Sequence, residues 1–359
     1  MNRRRFVFGS TALLVSATAK ADARKVVYPP VLPGKTLEFP GDHGAHPRFR
    51  TEWWYVTGWL AKPGGVPLGF QVPFFRARAE HETENPSRFA LRQAIFSHAA
   101  LADPGEGRLM HDQRAAREAL GLAGADERRT RVWVDDWRLE QDEKGYRTRI
   151  PAAGFALRLD FAASAAPLLQ GERGFSRKGP RPHEASYYYS RPQLRVSGAV
   201  EQRGREVPVR GSAWLDHEWS SAYLAPEAAG WDWIGINLED GGALMVFRMR
   251  ARAGGVYYAG GTLRSAAGEA RKLRPAEVAF DPLRLWRSPR TGVEYPVEMR
   301  VRTADLEWRI EPLMDDQELD ARASTGTIYW EGAVRVFRDG ARAGTGYLEL
   351  TGYWRPMRL

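Results

Sequence analysis

One feature constrains the fold more than any other: a single hairpin pattern is written twice, about half a chain apart. Residues 51–60 read Thr-Glu-Trp-Trp-Tyr-Val-Thr-Gly-Trp-Leu, turn at Pro63-Gly64-Gly65, and return through Gly69-Phe70-Gln71-Val72-Pro73-Phe74-Phe75-Arg76. Later, Trp231-Asp232-Trp233 leads through Gly235 and Leu238 to a Gly241-Gly242 turn, then back through Leu244, Phe247 and Arg248. Aromatic and β-branched runs broken by Gly-rich turns are strand–turn–strand signals. Self-similarity at this distance implies duplication of one β-unit. Alternation puts Glu52, Trp54 and Val56 on one face of the first strand, and Trp53, Tyr55 and Trp59 on the other. Both faces are bulky, so neither is freely solvated.

The same grammar fills the rest of the chain. Strand patterns recur at residues 92–101, 131–139, 146–150, 155–161 and 194–200, and then at 245–250, 256–263, 295–302, 306–312, 326–337 and 344–353. Only residues 113–122, from Gln113 to Leu122, have helical composition, which predicts a short helix there. Residues 171–181 are rich in Gly and Arg and read as a long loop. Many short strands with few helices argue for an all-β barrel or sandwich. A length of 359 residues suggests about two domains. They are placed at 41–210 and 211–359, behind a Pro-rich lead-in at 24–40.

Residues 1–23 look like an address. Asn2-Arg3-Arg4-Arg5-Phe6-Val7 fits the twin-arginine export pattern, and a short apolar stretch with small-x-small cleavage sites follows. The expectation is a removed signal peptide and a periplasmic mature protein. Cleavage after Ala21 would take Arg3, Arg4, Arg5 and Lys20 from the formal +9. The remaining excess forms no long basic block, so nucleic-acid binding is not expected. Weak attraction to an anionic membrane surface stays open. With no Cys, disulfides, thiolate metal sites and a Cys nucleophile are excluded.

The chemistry-bearing residues cluster around the second hairpin. Asp216, His217 and Glu218, with Asp232, are set among Trp214, Trp219, Trp231 and Trp233. Carboxylates and an imidazole beside apolar walls suit acid–base work on an apolar substrate. They suit equally a barrel seam closed by an Asp–His hydrogen bond. His98 sits alone within a strand pattern, as a core or cavity histidine. His43 and His46 have no third ligand near them in sequence, so no metal site is expected. Ser220 and Ser221 lie near Asp216 and His217, but no Gly-x-Ser-x-Gly elbow is present. No phosphate-binding Gly-rich loop appears either.

Several longer words carry a family resemblance. They are Glu52-Trp53-Trp54-Tyr55-Val56-Thr57-Gly58, Ser97-His98-Ala99, Trp214-Leu215-Asp216-His217-Glu218-Trp219 and Gly230-Trp231-Asp232-Trp233. Tyr329-Trp330-Glu331-Gly332-Ala333-Val334 and Gly346-Tyr347-Leu348-Glu349-Leu350-Thr351-Gly352-Tyr353 complete the set. In order, these words resemble the AttH-like, hydroxyneurosporene synthase-like (carotenoid 1,2-hydratase type) proteins. The resemblance implies two consecutive lipocalin-like antiparallel β-barrels, export, a hydrophobic or lipid-like ligand and no organic cofactor. Some relatives hydrate a terminal double bond of acyclic carotenoids. Others occur beside ABC-type exporters, making a transporter permease an expected partner, and many are described as secreted hydrolases. Carrier, hydratase and hydrolase all stay open. The resemblance points to His217 and Trp219 as catalytic candidates, and Asp216 and Asp232, set among tryptophans, are added as the candidate acids. Glu52, Trp53, Trp54, Tyr55, His98, Trp231 and Trp233 are then the ligand-binding candidates. His217-Glu218-Trp219 matches the hydratases' His-x-Trp pair. Their Tyr-x-Asp has no clean counterpart, since Leu238-Glu239-Asp240 carries Leu first.

Overall fold

The computed structural model describes residues 25–80, 86–87 and 90–358. The expected signal peptide, residues 1–23, lies outside them. The described residues form no α-helix; the only helical turns among them are two short 3-10 turns, Gly41–His43 and Pro275–Glu277.

The first barrel opens with β1 (Thr51–Ala61), β2 (Leu68–Arg78), β3 (Gln93–Ala102) and β4 (Met110–Arg117). A second meander follows in β5 (Ala123–Ala125), β6 (Arg131–Val134), β7 (Trp137–Asp142), β8 (Gly145–Ala152) and β9 (Phe155–Ala162). After the short β10 (Leu168–Leu169) and β11 (Phe175–Arg177) come two long strands, β12 (Ala185–Gln202) and β13 (Arg205–Ser220). The order is β4-β3-β2-β1-β13-β12-β9-β8-β7-β6-β5, and β4 and β5 approach each other across the seam.

The second barrel opens with β14 (Ala228–Leu238), β15 (Ala243–Ala251), β16 (Val256–Arg264) and β17 (Ala270–Leu273). It continues in β18 (Val278–Arg287), β19 (Glu294–Thr303), β20 (Leu306–Pro312) and β21 (Glu318–Ala321). It closes with β22 (Thr327–Arg338) and β23 (Ala341–Leu350), in the order β17-β16-β15-β14-β23-β22-β20-β19-β18. In both barrels the opening strand pairs with the last strand, β1 with β13 and β14 with β23. The shared wiring makes the chain two consecutive lipocalin-like antiparallel barrels.

Strand register fixes the internal equivalence. Glu52 lies opposite Arg76, and Asp232 lies opposite Arg248. Glu52 therefore corresponds to Asp232 and Trp53 to Trp233, two residues away from the match of Trp53 with Trp231 that the sequence suggests. Trp53 faces Glu218 across β1–β13, as Trp233 faces Glu349 across β14–β23.

Each barrel has its own core, one around Phe70, Trp137 and Leu157, the other around Ile236, Trp308 and Val334. A third apolar cluster, with Tyr55, Trp59, Trp214, Trp233 and Phe247, joins the barrels through their outer faces. This is why β1 and β14 are buried on both faces, whereas β8 alternates buried and exposed. Each large apolar side chain taken from water here contributes about 1.5–3 kcal/mol. The contact is close: a Cβ on Gly69 would sit 2.5 Å from Ala333 Cβ. Trp59 Nε1–H crosses it to donate to Gly346 O at 3.0 Å.

Two expectations are corrected. Residues 113–122 are not helical; β4 pairs with β3 from Ala94–Arg117 to Leu101–Met110, and this cross-strand ladder overrides local composition. The boundary at 210/211 falls inside β13, which hydrogen-bonds to both β1 and β12 in the first sheet. The chain passes to the second sheet only between Ser220 and Ala228.

Candidate functional site

A cavity of about 310 Å³ lies between the two barrels. The first barrel contributes Trp53 and Tyr55 from β1, His98 from β3, Tyr188 from β12, and Asp216 and Glu218 from β13. The second contributes Trp231 and Trp233 from β14, Tyr329 from β22 and Glu349 from β23, and the C-terminal Met357 reaches its edge. Period-two alternation selects these residues: they are the outward-facing positions of strands whose inward positions fill the barrels.

The carboxyl groups in this cavity differ in their partners. Asp216 is 5% exposed and accepts hydrogen bonds from Tyr188 Oη and Trp214 Nε1, both at 2.7 Å, and from Ser190 Oγ. Desolvation still outweighs these donors and pushes its pKa up to about 7. Glu349 accepts one bond, from Trp231 Nε1 at 2.8 Å. Desolvation, with the nearby Glu218 and Asp216 charges, pushes it up to about 7 as well. Glu218 instead pairs with Lys178 Nζ at 2.8 Å and accepts from Ser186 Oγ. Behind Glu349 lies Glu331, its cross-strand neighbour; burial holds that carboxyl well above the usual range.

His98 closes one wall as a neutral ring. Desolvation drives its pKa down to about 3. Ser324 Oγ donates to Gln113 Oε1 at 2.7 Å, so it accepts from His98 Nε2–H at 2.9 Å. His98 Nδ1 then accepts from Tyr329 O–H at 2.7 Å. That leaves the Tyr329 oxygen with lone pairs free to accept.

A separate polar cluster fills one end of the first barrel. Glu52, fully buried, accepts from His46 Nδ1–H at 2.8 Å, His217 Nε2–H at 2.9 Å and Arg76 Nε–H at 2.9 Å. Burial alone would raise Glu52; Arg76 and His46 outweigh it and hold the carboxyl well below the usual range. His46 also donates to Asp42 at 3.0 Å, and its two carboxylate partners overcome desolvation to raise its pKa. His217 is the reverse case: desolvation lowers it despite Glu52. Trp219 stacks on His46 at 3.6 Å, and Trp54 stacks on His217 at 5.0 Å. Ligand atoms of His46, Glu52 and His217 lie within 4.8 Å of one another, a spacing a metal ion could use. Arg76 already occupies the second Glu52 oxygen, so the cluster is satisfied as an ion-pair and hydrogen-bond network. In the second barrel Asp232, fully buried, is held by Arg248 and by Arg250 at 3.1 Å.

A profile of the AttH-like family matches residues 30–353. The chain belongs to the AttH-like family. A crystal structure from Nitrosomonas europaea, described as an AttH, is 54% identical; the match covers 90% of this chain and 99% of that one, with a TM-score of 0.86. The crystal structure of kievitone hydratase from Nectria haematococca matches at 12% identity, covering 92% and 98% of the two chains, with a TM-score of 0.67. At that identity the likeness is one of fold. No curated protein matches in sequence.

In this AttH-like chain the expected site residues go to three places. Asp216, Trp53, Tyr55, His98, Trp231 and Trp233 line the inter-barrel cavity. Glu52, Trp54, His217 and Trp219 form the network at the end of the first barrel. Asp232 stands alone in the second barrel between two arginines. Asp216 and His217 are adjacent in sequence and therefore point to opposite faces of β13. Sequence reasoning missed Glu349, Tyr188 and Tyr329. Glu349 carried a usable signal, an acid between Leu348 and Leu350 and two residues after Tyr347. His46 found its partners only through folding, since Glu52 and His217 reach it from β1 and β13.

Proposed function

We propose that the inter-barrel cavity binds a compact apolar or amphipathic ligand and adds water to its carbon–carbon double bond by acid–base catalysis. One observation carries this reading: two carboxyls with pKa near 7, Asp216 and Glu349, face one aromatic-walled cavity. Their unequal hydrogen bonding assigns roles. Three donors favour the ionised form of Asp216, while Glu349, with one, keeps its proton. Glu349 then protonates the alkene carbon that leaves the more substituted cation. The faces of Trp231, Trp233 and Trp53 stabilise that cation. Water adds to it and gives a proton to Asp216; Asp216 then releases that proton to solvent while solvent returns one to Glu349. The net change is addition of one water; run backwards, the same steps dehydrate an alcohol.

A cavity of about 310 Å³ is at the small end of ligand sites, so a short isoprenoid or a ring-bearing alkene fits better than a whole carotenoid. The kievitone hydratase likeness agrees with this reading without supplying it. A pure carrier would need only the aromatic walls. The test is incubation of the purified protein with short prenylated and styrenyl alkenes, with products followed by chromatography and ¹⁸O-water. Product lost in both Asp216→Asn and Glu349→Gln, with ligand binding kept, supports the assignment. Binding without product from the unmodified protein sinks the catalytic half and leaves a carrier. Export to the periplasm and work beside an ABC-type exporter remain part of the proposal.

A further inference from the structure

A wider cleft of about 890 Å³ opens elsewhere at the barrel junction and shares no lining residue with the first cavity. The first barrel brings Arg173, Gln193 and Arg195 to it; the second brings Thr262, Arg264 and Lys272. Among the described residues, four cations line this cleft and no carboxylate does. Arg264 is the unusual one, at 8% exposure. Among the described residues it has no ion pair, and its one polar contact is a long donation to Gly241 O at 3.4 Å. Desolvation lowers its pKa, as expected of a charge stripped of water without a counter-charge. Arg173 and Arg195 also have no ion pair among the described residues, while Lys272 sits 3.6 Å from Glu172.

The cleft is braced rather than accidental. Gln193 takes the left-handed region at φ 60° and Arg173 does so at φ 53°. From that position Gln193 Nε2 donates to Leu238 O and Gly242 O, both at 2.8 Å, clamping the β14–β15 turn to the first barrel. Gly171 N–H donates to Thr262 Oγ1 at 3.3 Å across the same junction. Solvated surface arginines need no partner, but a buried one does. A guanidinium fork matches the oxygens of a phosphate, and several unpaired cations exceed what a single carboxylate neutralises.

We propose that this cleft binds a phosphate group of a soluble metabolite or a lipid headgroup, with Arg264 as the buried anchor and Arg173 and Arg195 at the rim. The proposal is independent of the chemistry assigned to the other cavity. It is tested on the mature chain by titration with inorganic phosphate, pyrophosphate and glycerol 3-phosphate at low ionic strength. Co-sedimentation with phosphatidylglycerol and phosphatidylcholine vesicles forms the second arm. Saturable binding should weaken at least tenfold in Arg264→Met and in the double variant Arg173→Glu/Arg195→Glu. It should be unchanged in Arg149→Glu, an exposed arginine outside the cleft. The double variant alters only exposed side chains and decides the matter should Arg264→Met misfold. Binding in the soluble arm identifies a metabolite; binding only to phosphatidylglycerol vesicles identifies a headgroup. Absence of saturable binding in both arms, or equal weakening in Arg149→Glu, overturns the proposal.

Discussion

Replacing Glu349 by Gln tests the protonation state on which the chemistry depends. The carboxyl moves from an ordinary 4.5 to about 7 in the folded protein. The folded state therefore holds a proton that the unfolded chain releases between these values. Stability from this group is complete below pH 4.5 and is lost as pH rises through 7. At 1.36 kcal/mol per unit, the loss is about 3 kcal/mol, an order-of-magnitude figure. Gln keeps the oxygen that accepts from Trp231 Nε1 and does not ionise, so the variant escapes this penalty. Urea unfolding at pH 5 and pH 8 should show the variant less than about 1 kcal/mol more stable at the lower pH and about 3 kcal/mol more stable at the higher. Hydration should fall about 10²–10⁴-fold in the same variant, because its proton donor is gone. Parallel loss of stability by both proteins between pH 5 and 8 would refute the argument, since Glu349 would then be ionised in the fold like any solvated carboxyl.

Three other outcomes are expected. Asp232→Asn leaves Arg248 and Arg250 without their buried counter-charge and should cost about 3–5 kcal/mol in denaturant unfolding; a change below 1 kcal/mol would show the pair to be solvated. The His98 ring, with its pKa near 3, should keep one neutral tautomer from pH 5 to 8 in nitrogen-15 NMR; a titration midpoint in that range would contradict its burial. Replacing Arg3 and Arg4 together by Lys should leave the precursor in the cytoplasm on cell fractionation; undiminished periplasmic protein would reject twin-arginine export.

Much of the architecture was legible because strand alternation is a local property. Glu52 and Trp54 separate from Trp53 and Tyr55 as their spacing requires, and bulk on both sides of that strand foretold its double burial. The environment behind each face was not legible. One side of β1 meets a barrel interior and the other a second barrel, and both are apolar. For the same reason the sequence brings Asp216, His217 and Asp232 together as a catalytic group that the fold distributes over three environments. Residues 113–122 misled because a strand's register with its neighbour is not written in its own composition. Glu349 was hidden by distance, since the cavity is built only when β13 and β23, closing strands of different barrels, each turn a face toward it.

Glu218 and Glu349 occupy the same place in their respective barrels, each opposite the equivalent tryptophan. Two separate copies of one barrel, docked about a two-fold axis, would have to surround both acids identically. Neither could then be tuned without tuning its twin. Covalent tandem linkage lifts that restriction. Lys178 neutralises one acid, while the other accepts a bond from an indole N–H, stands near further acids and stays proton-bearing. Asp216 stands where the second barrel has Tyr347, the position opposite Gly235 rather than Tyr55. A donor and an acceptor of protons can coexist at the junction because the symmetry that the fold repeats is broken in the side chains.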